Sequence, residues 1–169
     1  LTIKKCPNNV LTQRLISDIF KKNNIEKVII EEGIEKIDYA AFFAKTGIKS
    51  IYLPQSLQVI DESAFSRCSD LTKIIIPNNV KHIGNNAFSG CSALEKINLP
   101  SSILHISECA FYDCIKLKHI DISEGITSIE EGAFGNCYAL KRINLPSSLT
   151  YIGEGAFESC KNSRGRDNT

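Results

Sequence analysis

The stretch LTKIIIPNNVKHIGNNAFSGCSA, residues 71–93, decides the fold, because its pattern returns along the chain at a fixed interval. The dipeptide Ala-Phe occurs at 41–42, 64–65, 87–88, 110–111, 133–134 and 156–157, 23 residues apart each time. Six of the eight Phe therefore occupy one column. Three residues further on stand Lys45, then Cys68, Cys91, Cys114, Cys137 and Cys160, which account for five of the seven Cys.

The apolar positions obey the same period. One column holds Val28, Ile51, Ile74, Ile97, Ile120 and Ile143, and the next holds Ile30, Leu53, Ile76, Leu99, Ile122 and Leu145. Pro54, Pro77, Pro100 and Pro146 follow, and further on Ile37, Ile60, Ile83, Ile106, Ile129 and Ile152 align. The unit reads L-x-x-I-x-L-P-x-x-L-x-x-I-x-x-x-A-F-x-x-C-x-x. Alternation and β-branched residues in L-x-x-I-x-L predict a short strand. Proline has no N–H to extend a ladder and ends it. The A-F-x-x-C portion predicts a helical or 3-10 turn that returns the chain. One unit cannot bury its own apolar side chains, whereas stacked copies with parallel strands can.

These residues predict an α/β, β-dominated leucine-rich-repeat solenoid with parallel strands on its concave face and second short strands on the return. The unit at 71–93 resembles the BspA-like leucine-rich repeat, marked by I-x-L-P and I-G-x-x-A-F-x-x-C. The expected organisation is a single domain over 1–169, with a helical cap at 1–24, six repeats at 25–160 and a polar, disordered tail at 161–169. The cap is read from Leu11, Leu15, Ile16, Ile19 and Phe20, which share one face of a helix over residues 9–23. KNSRGRDNT, residues 161–169, brings no apolar side chain to the other end, so the last repeat is expected to be open to continuation or self-association. Glu31 and Ser123 stand where Pro is usual, and Lys45 where Cys is usual.

Composition excludes some functions. With 20 basic and 19 acidic side chains the net charge is +1, which argues against a phosphate-backbone binder. No apolar run is long enough to span a bilayer, so no membrane insertion is expected. The chain begins at Leu1 rather than Met, which reads as a processed or excised segment, so the lack of a leader does not argue against secretion. There is no C-x-x-C pair and no Ser-His-Asp or paired-carboxylate spacing that the period brings together. We therefore expect no enzyme activity, no metal and no cofactor. The column cysteines read as buried apolar plugs, leaving Cys6 and Cys109 as the more reactive thiols. His82 and His105 share a column, but two ligands make a weak metal site, and Gly84 and Gly153 read as backbone requirements.

What remains is the outward face of the strands. Just before the central Ile or Val stand Lys27, Ser50, Lys73, Lys96, His119 and Arg142, a largely basic stripe. Just after it stand Ile29, Tyr52, Ile75, Asn98, Asp121 and Asn144, apolar in the first half and polar in the second. Ile29, Tyr52 and Ile75 form a candidate partner site, since contiguous exposed apolar surface marks interaction sites. β-branched residues also simply suit strand surfaces. With Lys73, Lys96, Asn98, His119, Asp121, Arg142 and Asn144 they are the candidate residues for a protein or glycan ligand. The resemblance implies a surface or secreted protein that adheres to host cells or matrix; the alternative is a cytoplasmic interaction or regulatory module.

Overall fold

The computed structural model describes residues 1–4, 6–21, 24–141 and 143–161. The chain forms a β-solenoid of stacked coils. Its first coil contains β1 (Thr2–Ile3), β2 (Val10–Leu11) and α1 (Gln13–Phe20). The repeats supply β3 (Lys27–Ile30), β4 (Lys36–Ile37), β5 (Ser50–Tyr52), β6 (Val59–Ile60), β7 (Lys73–Ile75), β8 (His82–Ile83), β9 (Lys96–Asn98), β10 (His105–Ile106), β11 (His119–Asp121), β12 (Ser128–Ile129) and β13 (Tyr151–Ile152). Strands β1, β3, β5, β7, β9 and β11 make one six-stranded sheet. On the return side β2, β4, β6 and β8 make a second sheet, and β10, β12 and β13 a third. All pairings between these strands are parallel, as a stack of like coils requires.

The core is built from the periodic columns. Phe42, Phe65, Phe88, Phe111 and Phe134 are buried and stack with ring centroids 5.2 to 5.5 Å apart, the stack running on to Phe157. Phe20 of α1 meets Phe42 edge-on, centroids 6.4 Å apart and planes at 87°. The helix thus closes one end of the ring stack with the edge-to-face contact that aromatic quadrupoles favour. Thr12 caps α1 by accepting from the Leu15 N–H at 3.4 Å. The helix is shorter than the span 9–23 read from sequence, because Val10 and Leu11 pair with Lys36 and Ile37 as strand instead.

The returning segments take the form of tandem tight turns. Ala40, Ser63, Asn86, Cys109, Gly132 and Gly155 all have φ between 50° and 60°, and Ala44, Arg67, Gly90, Asp113, Asn136 and Ser159 repeat the left-handed geometry four residues later. Alternate N–H groups then point along the stack: Phe42 donates to Ala64 O at 2.7 Å and Ala44 to Ser66 O at 2.8 Å. The turns become a ladder of their own. Each column Cys joins it, as Cys68, Cys91, Cys114, Cys137 and Cys160 donate from Sγ to the carbonyls of Phe42, Phe65, Phe88, Phe111 and Phe134 at 3.1 to 3.3 Å.

Departures from the repeat have local reasons. Glu31 keeps an N–H where Pro would remove it, and that N–H donates to Ile3 O of the first coil at 2.9 Å. Ser123 donates its hydroxyl to Leu99 O at 3.2 Å. A Cβ on Gly84 would stand 2.5 Å from the Glu62 nitrogen, so close approach of neighbouring coils fixes glycine there. Leu145 and Ile152, read as core columns, are 47% and 46% exposed, since among the described residues no further coil covers them. Ile143 and Asn144 lie in no strand, and the expected tail from 162 onward lies outside the described residues.

Candidate functional site

The outer face of the six-stranded sheet follows directly from strand alternation. In β3, β5, β7 and β11 the central residue is buried and its flanking residues point to solvent. Register places Ile29, Tyr52 and Ile75 side by side on consecutive strands. They are 37%, 54% and 59% exposed, a contiguous apolar strip. Lys27 lies with its Nζ 4.7 Å from the Tyr52 ring centroid, a cation–π contact that holds the ring.

The basic column is in register from Lys27 through Ser50 to Lys73 on β3, β5 and β7, and it continues across the next two strands. Lys73 pairs with Lys96, and Lys96 with His119, on β7, β9 and β11. All three are exposed. Glu26 and Glu95, beside this column, are committed to Lys49 and Lys118 at 2.8 and 2.9 Å. The Lys118 contact holds the Glu95 carboxyl below its ordinary range. Asn98 is half-buried and donates to Ile76 O at 3.4 Å, while Asp121 is exposed on β11 beyond it. Asn144 is exposed outside any strand, and Arg142 lies outside the described residues.

Among the described residues, grooves lie at two places on this face. One of about 240 Å³ lies between β5 and β7, walled by Tyr52, Leu53, Lys73 and Ile75. A larger one of about 620 Å³ lies between β7 and β9, walled by Lys73, Ile75, Lys96 and Asn98. The ladder is shortest at the second groove: β5 and β7 share three paired residues, whereas β7 and β9 share only Lys73 with Lys96.

The other candidates do not form chemistry-bearing clusters. Burial pushes the Cys68 thiol up to about 12 and raises Cys91, Cys114 and Cys137 well above the ordinary thiol range. Burial, then the charges of Glu108 and Glu131, raise Cys109, and burial raises Cys6, so neither is an activated thiolate. His82 and His105 sit on strands of different sheets, and no group of three metal-ligating side chains occurs among the described residues.

Sequence reasoning missed one polar chain on the return side. His105 Nδ1 lies 2.8 Å from Ser128 Oγ, and Ser128 donates to Glu130 Oε1 at 2.5 Å. The hydroxyl proton is thus directed at the carboxylate and not at the imidazole, the reverse of a serine activated by histidine. The 23-residue offset of His105 and Ser128 was the available signal.

Periodic coils, a parallel sheet and an open face of variable side chains define a leucine-rich-repeat scaffold of the binding type. The chain belongs to the BspA type leucine rich repeat region family, whose pattern matches in six copies over residues 13–124 and 59–164. No curated protein matches it. Among solved structures it is similar to a T. pallidum leucine rich repeat protein, at 27% identity and TM-score 0.81, over 95% of this chain and 70% of that one. It also resembles a Bacteroides ovatus leucine-rich repeat protein, at 26% identity and TM-score 0.65, over 81% of this chain and 42% of that one. A leucine rich cell surface protein from Faecalibacterium prausnitzii aligns at 25% identity and TM-score 0.74, over 94% of this chain and 40% of that one. The chain therefore spans less than half the length of the latter two.

Proposed function

We propose that this chain is a non-catalytic binding scaffold of a surface or secreted protein, which mediates adhesion to a host protein or glycan through the outer face of its six-stranded sheet. The observation that carries the reading is the contiguous exposure of Ile29, Tyr52 and Ile75 on three strands in parallel register. Tyrosine is enriched in interface hot spots, and contiguous exposed apolar surface marks interaction sites. The similarity to a leucine rich cell surface protein supports the location. Among the described residues no helix is long and apolar enough to cross a membrane.

The test is adhesion to immobilised matrix proteins and glycans by the parent chain and by Tyr52→Glu and Ile75→Glu. A hot-spot loss of about 2 kcal/mol corresponds to roughly 30-fold weaker binding. Equal binding by parent and both variants places the ligand elsewhere. A second reading, an intracellular interaction module, draws on the cysteines, all seven of which are free thiols. Localisation of the natural full-length protein separates the two: recovery from the cell exterior supports adhesion, and retention in the cytosol supports the alternative.

A further inference from the structure

The sheet sets two lysines opposite one another in register on neighbouring strands. Lys73 and Lys96 are the single residue pair recorded between β7 and β9, and neighbouring strands lie about 4.8 Å apart. Like charges directly opposite one another destabilise a sheet. Neither lysine forms an ion pair with a described carboxylate. The acid beside Lys96 gives no relief, since Glu95 is held by Lys118 at 2.9 Å. His119 continues the column in register with Lys96. The larger groove opens at this same place, and on its other side Ile75 leads into the apolar strip through Tyr52.

We infer that this junction seats an acidic segment of a partner protein, with carboxylates on Lys73, Lys96 and His119 and adjoining apolar side chains on Ile75 and Tyr52. The inference rests on the adhesion reading and narrows its ligand. Two opposed ammonium groups without a counter-ion favour an anionic ligand by simple electrostatics, and three adjacent strands spread that demand over about 10 Å. The apolar half favours protein over sugar. Ile29 and Ile75 offer no flat ring for a sugar to stack on, and the Tyr52 ring already carries the Lys27 ammonium. A protein segment supplies both carboxylates and aliphatic side chains. Asp121, exposed on β11 in the neighbouring column, disfavours an anion at its own position.

The probe is a fluorescein-labelled peptide joining a leucine block to a glutamate block, read by fluorescence anisotropy. Comparison probes replace glutamate by lysine, replace leucine by serine, or are heparin oligosaccharides. The acidic–apolar peptide is expected to bind, at least tenfold more weakly to Lys73→Glu/Lys96→Glu, unchanged to Lys81→Glu beside β8, and more weakly as salt rises. Equal binding of the lysine-block peptide overturns the inference, as does heparin binding lost in Lys73→Glu/Lys96→Glu while the acidic peptide fails. Binding by no probe also refutes it, leaving the adhesion assay to judge the face on its own. Amide shift mapping separates the two readings: perturbations on β3 to β9 with only the wrong probe defeat the acidic ligand and keep the face, and perturbations on the turns defeat both.

Discussion

Phe88→Ala cuts the ring stack at its middle. Phe88 is fully buried and lies between Phe65 and Phe111 at centroid distances of 5.3 and 5.5 Å. Removing a buried phenyl from a packed interior costs about 3 to 5 kcal/mol. The two lost ring pairs, at about 0.5 to 1.5 kcal/mol each, supply a good part of that. For a chain of this size about 2 to 4 °C is lost per kcal/mol, which predicts a fall in Tm of about 6 to 20 °C. Phe157→Ala is the internal comparison. Phe157 is half-buried with one ring neighbour at 5.4 Å, so its loss removes one pair and less buried area. The assay is urea and thermal unfolding followed by circular dichroism. An unchanged Tm for Phe88→Ala, or an equal fall for both variants, refutes the account of a ring stack loaded in its centre and light at its end.

Native-state thiol labelling should reach half-buried Cys109 well before Cys114, whose Sγ is enclosed and bonded to the Phe88 carbonyl; the reverse order contradicts the thiol ladder. Acid should weaken the fold through Glu32 and Glu124, whose carboxyls are held below the ordinary range chiefly by the backbone N–H groups of Gln55 and Ser147. A carboxyl lowered on folding contributes stability above its unfolded value, about 4.3, that is lost as pH falls through the folded value. Urea midpoints of Glu32→Gln/Glu124→Gln should therefore fall less between neutral and acid pH than those of the parent. Hydrogen exchange should be faster along β9 than along β5, because β7 and β9 share one residue pair where β3 and β5 share three; equal protection denies the seam.

Most of the architecture was legible because one physical unit repeats. Alternation in Lys73–Ile75 and its equivalents told inward from outward side chains, and the Phe and Cys counts named two core columns. The first coil was not legible as strand, since Thr2 pairs with Ile29 and Val10 with Lys36, offsets that the period of 23 does not contain. The left-handed turn positions were hidden for a related reason. Ala40, Ser63, Asn86 and Cys109 share no side-chain chemistry, only a φ that the inter-coil hydrogen bonds impose. Of the site, the lysine column and the apolar strip were readable, but the shortened ladder that opens a groove between Lys73 and Lys96 depends on backbone geometry.

An amide shift map of the chain, with a matrix protein or glycan fragment retained in the adhesion assay, tests directly whether the outer face of the six-stranded sheet is the binding surface. Perturbations are expected to concentrate at Lys27–Ile30, Ser50–Tyr52 and Lys73–Ile75. Perturbations confined to the turns around Phe65 and Phe88, with the sheet silent, would contradict it.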